Sequence, residues 1–188
     1  MPRIERLPAQ RAGLLTRLLY RWSAKRYGAV PDPGAVVAHH PGLAVVMGTV
    51  EFGLAKAARK LPANLRELAT YRVATRIGCS WCVDFGTMLQ REEGLDVERL
   101  SAIDDYPASP RFTDQERRVL AYADAMTDLP MQVTDEQVAE LDRELGHAAL
   151  VELTMLIAVE HQRTRFNHAL GLTSQGFATG EACRAPIP

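Results

Sequence analysis

The chain has 188 residues, of which 47% are hydrophobic and 24% charged, with a formal net charge of −1. That composition excludes disorder and fibrous repeats, and the near-neutral balance offers no field to attract nucleic acid. The length suits a single domain with a substantial core.

The first predicted element runs from Pro8 to Tyr27. Leu14, Leu15, Leu18, Leu19 and Trp22 recur at helical spacing, Arg11, Arg17, Arg21 and Lys25 take other positions, and Gly28 closes the segment. A basic amphipathic helix of this kind either lies on a membrane surface or covers the core or a neighbouring subunit, and the second is the expectation. "PDPG" at 31–34 reads as a turn, so residues 1–34 form an N-terminal helix and linker. Two helices are predicted over 41–60 and 62–76, the second with Pro62 near its first turn, where a missing N–H costs little. A third starts near Cys79. "TDQE" at 113–116 and "TDEQ" at 134–137 are capping boxes that each open a helix. The last helix is predicted over 147–170, with Leu150, Leu153 and Ile157 on a broad apolar face and Gly171 at its end. Residues 173–188 read as a loosely ordered tail. No strand pattern with hairpin signals occurs, so the expected fold is an all-α, single-domain helical bundle. The opening segment lacks the apolar run and cleavage site of a secretory signal, and no later stretch is long enough to span a bilayer. The cytoplasm is the expected location.

The chemistry concentrates in "RIGCSWCVDFG", residues 76–86. Positions three apart share a helix face, so Cys79 and Cys82 can bring their sulfurs together if a helix starts near Cys79. A thiol in a first turn sits near the positive end of the helix, which favours thiolate and nucleophilic reactivity. Two alternatives stay open: a pair of small buried hydrophobes, and a zinc site, for which neither a second cysteine pair nor a close histidine pair follows. His161 and His168, seven apart, read as packed or solvated side chains. A thioredoxin-like use of the pair needs a βαβ setting that the pattern does not offer. Cys183 reads as an incidental surface thiol or as a third partner for the disulfide.

The stretch "ELATYRVATRIGCSWC" resembles the core of the carboxymuconolactone decarboxylase superfamily, in its alkylhydroperoxidase D-like branch. Glu67 stands twelve residues before Cys79, the interval of the family pattern, and the resemblance extends over about residues 35–172. It implies an all-helical oligomer, a trimer, hexamer or related assembly, with each site near a subunit interface. It further implies thiol-dependent peroxidase or disulfide oxidoreductase activity on a hydroperoxide or other small molecule, regenerated by a dithiol or protein reductant. Cys82 would attack and become a sulfenic acid, Cys79 would condense with it to a disulfide, and Glu67 would relay the proton. No cofactor or metal is implied. Two other functions remain open, a lactone decarboxylase and a catalytically silent oligomer that binds a small molecule or protein.

The chain departs from the family pattern at one position. The pattern carries a histidine four residues after the second cysteine, one helical turn away, where it can act as a base. Here Gly86 stands in that place.

Overall fold

A computed structural model describes residues 2–178. The described elements are α1 Leu14–Tyr27, α2 Asp32–Val37, α3 Pro41–Ala57, α4 Ala63–Ile77, α5 Ser80–Glu92, a 3-10 helix Glu98–Asp105, α6 Asp114–Thr127, α7 Asp135–Leu145 and α8 His147–Ala169. The fold is all-α, and no strand occurs among the described residues. Cys183 and the reading of residues 179–188 as tail lie outside that range.

Helix α4 is the axis of the molecule and packs against α5, α6 and α8. Its buried residues Leu65, Leu68, Ala69, Tyr71, Arg72, Val73 and Ala74 cover most of its circumference, so it serves two cores. One core joins Leu68, Tyr71 and Ala74 to Cys79, Trp81, Cys82 and Val83 of α5 and to Leu100, Ile103 and Leu120. The other joins Leu65, Ala69 and Val73 to Val119 of α6, Leu141 of α7 and Leu153 and Ile157 of α8. Burying each large aliphatic side chain contributes roughly 1.5–3 kcal/mol, which makes α4 the helix that the fold can least spare.

Both predicted capping boxes form. Thr113 accepts from Glu116 N–H while Glu116 reaches back to Thr113 N–H, and Thr134 and Gln137 do the same. The first helix is shorter than the apolar pattern suggests, because Gly13 is its N-cap and residues 8–12 run as turns. "PDPG" opens the short helix α2, with Pro33 early in its first turn, instead of forming an isolated turn.

Neither α1 nor α3 buries a single residue. Leu14, Leu15, Leu18 and Trp22 of α1, with Leu43, Val45, Val46 and Phe52 of α3, are exposed. The two helices meet where the Trp22 and Phe52 rings approach to 5.4 Å. No helix among the described residues is long and apolar enough to cross a membrane.

Candidate active site

The site begins where α4 stops. Gly78 takes the left-handed conformation, φ +80°, that a β-carbon disfavours, and both its N–H and that of Cys79 return to the Ala74 carbonyl at 3.0 Å. The chain reverses there at once, so Cys79 becomes the N-cap of α5. Its Sγ accepts the Cys82 N–H at 3.3 Å, the bond that a serine or aspartate oxygen makes in an ordinary cap. The expected entry of a helix at this point is therefore met by the cysteine itself. Cys79 is 1% exposed and Cys82 7%, and both are free thiols.

The two sulfurs lie within hydrogen-bonding reach and compete for one proton. The bond from Cys82 holds the Cys79 thiol below its ordinary value. The same contact, with burial and the charge of Glu160, pushes the Cys82 thiol up. Negative charge in the pair is thus favoured on Cys79, at the helix start, over Cys82.

Cys82 meets α8 on its other side. Glu160, Thr164 and Asn167 fall at i, i+4 and i+7 of that helix, a buried polar stripe beside its apolar residues. Asn167 Nδ2 donates to Cys82 Sγ at 3.3 Å, and Asn167 Oδ1 is buried without a hydrogen-bond partner among the described residues. The Glu160 carboxyl is near enough for its charge to act on the Cys82 thiol, and burial pushes that carboxyl above its ordinary range although Arg163 opposes the shift. Arg163 donates to Glu160 at 3.0 Å and grips both oxygens of Glu51 on α3, at 2.8 and 2.6 Å.

Glu67 shares a face of α4 with Tyr71 and Ala74, one and two turns on. Its hydrogen-bond partner is the neighbouring Arg66, at 2.9 Å, which also binds Glu93 at 2.6 Å. Burial pushes the Glu67 carboxyl up, while Arg66 and the more distant Arg163 oppose it. Among the described residues no hydrogen bond joins Glu67 to either sulfur. The sequence motif thus brings Cys79 and Cys82 together, and the contact from the carboxyl side comes from Glu160.

At position 86 an added β-carbon would meet only the Tyr71 ring, at 3.6 Å, an ordinary contact, so the glycine is not enforced by crowding at that atom. Among the described residues no hydrogen bond joins a histidine ring to Cys79 or Cys82. His161 bonds Thr127 at 2.9 Å, and His147 pairs with Asp142 at the surface. Among the described residues no cluster of three or more His, Cys, Asp or Glu could hold a metal ion.

The far side of the α5 first turn is closed by residues 172–178. Asp84, 1% exposed, accepts from Ser174 Oγ and from the backbone N–H groups of Gln175, Gly176, Phe177 and Ala178, at 2.6–3.0 Å. Trp81 Nε1 donates to Gln175 Oε1 at 2.7 Å, and Phe177 packs edge-on against Trp81 and Phe85. This described part of the expected loose tail is a strap, ordered because one carboxylate satisfies a run of its backbone donors.

Sequence reasoning thus passed over Glu160, Arg163, Asn167 and Asp84. The polar stripe in α8 was a usable signal, since buried Glu and Asn are rare unless partnered. Asp84 carried none, because its partners lie some ninety residues on.

Residues 41–125 match the carboxymuconolactone decarboxylase family. The uncharacterized protein YnjA of Escherichia coli K12 is 35% identical over 122 residues, 65% of this chain, and the chain spans 64% of that relative's length. Among solved structures, the apo debrominase Bmp8 superposes with a TM-score of 0.77 at 20% identity, over 90% of each chain. A peroxidase-related protein with an alkylhydroperoxidase AhpD core, from Ralstonia eutropha JMP134, superposes with 0.82 at 16% identity, over 96% of each. At these identities the structural likenesses establish the fold alone.

Proposed function

We propose, from the premise that this chain belongs to the carboxymuconolactone decarboxylase family and has its alkylhydroperoxidase-like fold, that it is a dithiol oxidoreductase acting on a hydroperoxide. The observation that carries this reading is the placement of both sulfurs on the first turn of α5, with Cys79 Sγ capping the helix through Cys82 N–H. Two thiols on one turn can close a disulfide with little motion, and the helix start stabilises the charge needed for it.

The steps balance as follows. The Cys82 thiolate attacks the outer oxygen of the hydroperoxide, the O–O bond breaks, and the alkoxide leaves with one proton as an alcohol. Cys82 is then a sulfenic acid. The Cys79 thiolate attacks that sulfur, the disulfide forms, and water leaves. A dithiol or protein reductant restores both thiols. Cys82 is assigned the attack because it is the less covered residue of the two and the one whose sulfur accepts a hydrogen bond from α8, from Asn167 Nδ2. Glu67 relays protons between the interior and the Arg66–Glu93 rim, an assignment supported by its burial and raised carboxyl. The exposed apolar residues of α1 and α3 support assembly into a homo-oligomer.

The test is a thiol count before and after stoichiometric hydroperoxide, with the bridged peptides mapped by mass. Two thiols should be lost as a Cys79–Cys82 disulfide. Cys82→Ser should remove sulfenic-acid trapping and Cys79→Ser should prolong it. Equal, slow reaction of all three cysteines would favour a catalytically silent oligomer.

The likeness to a debrominase, also solved with 2,3,4-tribromopyrrole, supports a second reading. The same two thiols can supply two electrons to a carbon–bromine bond, giving the hydrogen-substituted product, hydrogen bromide and the disulfide. Bromide release from a brominated pyrrole, with no disulfide formed by hydroperoxide, would favour it.

A further inference from the structure

The chain lacks the imidazole that its family pattern places one turn after the second cysteine, and among the described residues no hydrogen bond joins a histidine ring to either sulfur. Yet Cys82 is the thiol that holds its proton most firmly. Something at the site must accept that proton before attack and return it to the leaving alkoxide. We propose that Glu160 on α8 is the catalytic residue that takes the proton from Cys82 and gives it back to the leaving oxygen. This inference rests on the dithiol reading above.

Three features of the geometry support it. Glu160 is the carboxyl whose charge acts on the Cys82 thiol, it shares the buried polar stripe of α8 with Asn167, which donates to the same sulfur, and it is 6% exposed, so bulk water does not compete for the proton. Transfer from thiol to carboxylate moves one negative charge between adjacent atoms without changing the net charge of the buried site, which avoids the cost of burying a new ion. The groups facing Glu160 also hold it in place: Arg163 from its own helix, Glu51 from α3 through that guanidinium, and Cys79 and Cys82 from α5. The charge of Arg163 also reaches Glu67 on α4. Arg163 is shared with Glu51, so it anchors the Glu160 carboxyl without committing its whole charge to it. Burial keeps the carboxyl above its ordinary range, the direction of shift that suits a proton carrier. Asn167 Nδ2 fixes the Cys82 sulfur meanwhile.

The proposal separates two reactions of one sulfur. Alkylation of Cys82 by iodoacetamide expels iodide, which needs no proton, whereas hydroperoxide expels an alkoxide, which does. Glu160→Gln, studied in a Cys79→Ser background, removes the adjacent negative charge. The pH midpoint of Cys82 alkylation should therefore fall, and alkylation at neutral pH should become faster. Sulfenic-acid formation with hydroperoxide should instead become about a hundredfold slower, the scale of a lost general acid–base group. Glu160→Asp, which keeps the carboxyl but draws it back, should give intermediate values of both and serves if the Gln variant does not fold. A merely structural role would move both rates together. An unchanged alkylation midpoint, or a hydroperoxide rate that falls no further than the alkylation rate, would overturn the proposal. If the unaltered protein forms no disulfide with hydroperoxide, the oxidoreductase reading fails on its own, and the alkylation midpoint alone then decides whether Glu160 and Cys82 share a proton.

Discussion

Two buried carboxyl groups flank the first turn of α5, and their surroundings are opposite. Asp84 faces residues 174–178 and accepts five hydrogen bonds, four of them from backbone N–H groups. Glu160 faces Cys82 and receives one hydrogen bond from an arginine that it shares with Glu51. A carboxylate saturated with donors is a structural fastener, since every lone pair has a fixed use. A buried carboxyl short of donors is raised toward neutral pH and is left able to carry a proton. One turn of helix thus has a pinned side and a reactive side.

The most damaging way to break this contrast is Asp84→Ala. Four strap N–H groups lose their acceptor, and part of the loss is the penalty for leaving buried donors unpaired, so we expect about 3 kcal/mol or more of destabilisation in urea unfolding. Proteolysis should then cut first within residues 172–178, and unchanged stability would show that water replaces the carboxylate without cost.

A second test uses pH. The folded-state carboxyls of Glu160 and Glu67 are both raised, so the folded protein binds more protons than the unfolded chain over the window between the ordinary glutamate value, about 4.3, and the raised folded values. These groups contribute most below that window, and their contribution is lost as pH rises through it. Glu160→Gln should flatten the fall in urea midpoint above about pH 4.3, and Glu67→Gln should flatten it less, because the Glu67 side chain is the less buried of the two. Parallel curves for both variants and the unaltered protein would remove the distinction between pinned and reactive carboxyls.

The smallest expected effect is at Gly86. With only the Tyr71 ring near an added β-carbon, Gly86→Ala should stabilise the folded chain by about 0.5–1 kcal/mol through helix propensity, leaving thiol reactivity unchanged. Gly86→His tests the same position chemically. If the imidazole reaches Cys82 it should lower that thiol's pH midpoint and reduce the need for Glu160 in the double variant. If it is held against Tyr71, neither will change.

The sequence by itself determined the helices and the motif. Capping boxes, prolines and helical spacing act over three or four residues, so α4 and α8 begin and end, and α5 and α6 begin, within a few residues of where the pattern puts them. The Cys79–Cys82 spacing is likewise a local property, because one turn of helix fixes it. The first helix started late, since an apolar pattern does not say whether a chain at the surface will coil, and Gly13 sets the start. What tertiary structure alone decided was which carboxyl faces which atom. Glu67 is singled out by its interval before the cysteines, and it lies on the preceding helix α4, where its direct partner is Arg66. Glu160 meets Cys82 from 78 residues away, and Asp84 gathers donors from ninety or more. Such meetings depend on how α8 and the strap pack against α5, and packing is settled by the shape of two cores together, not by any short stretch that could be read in advance.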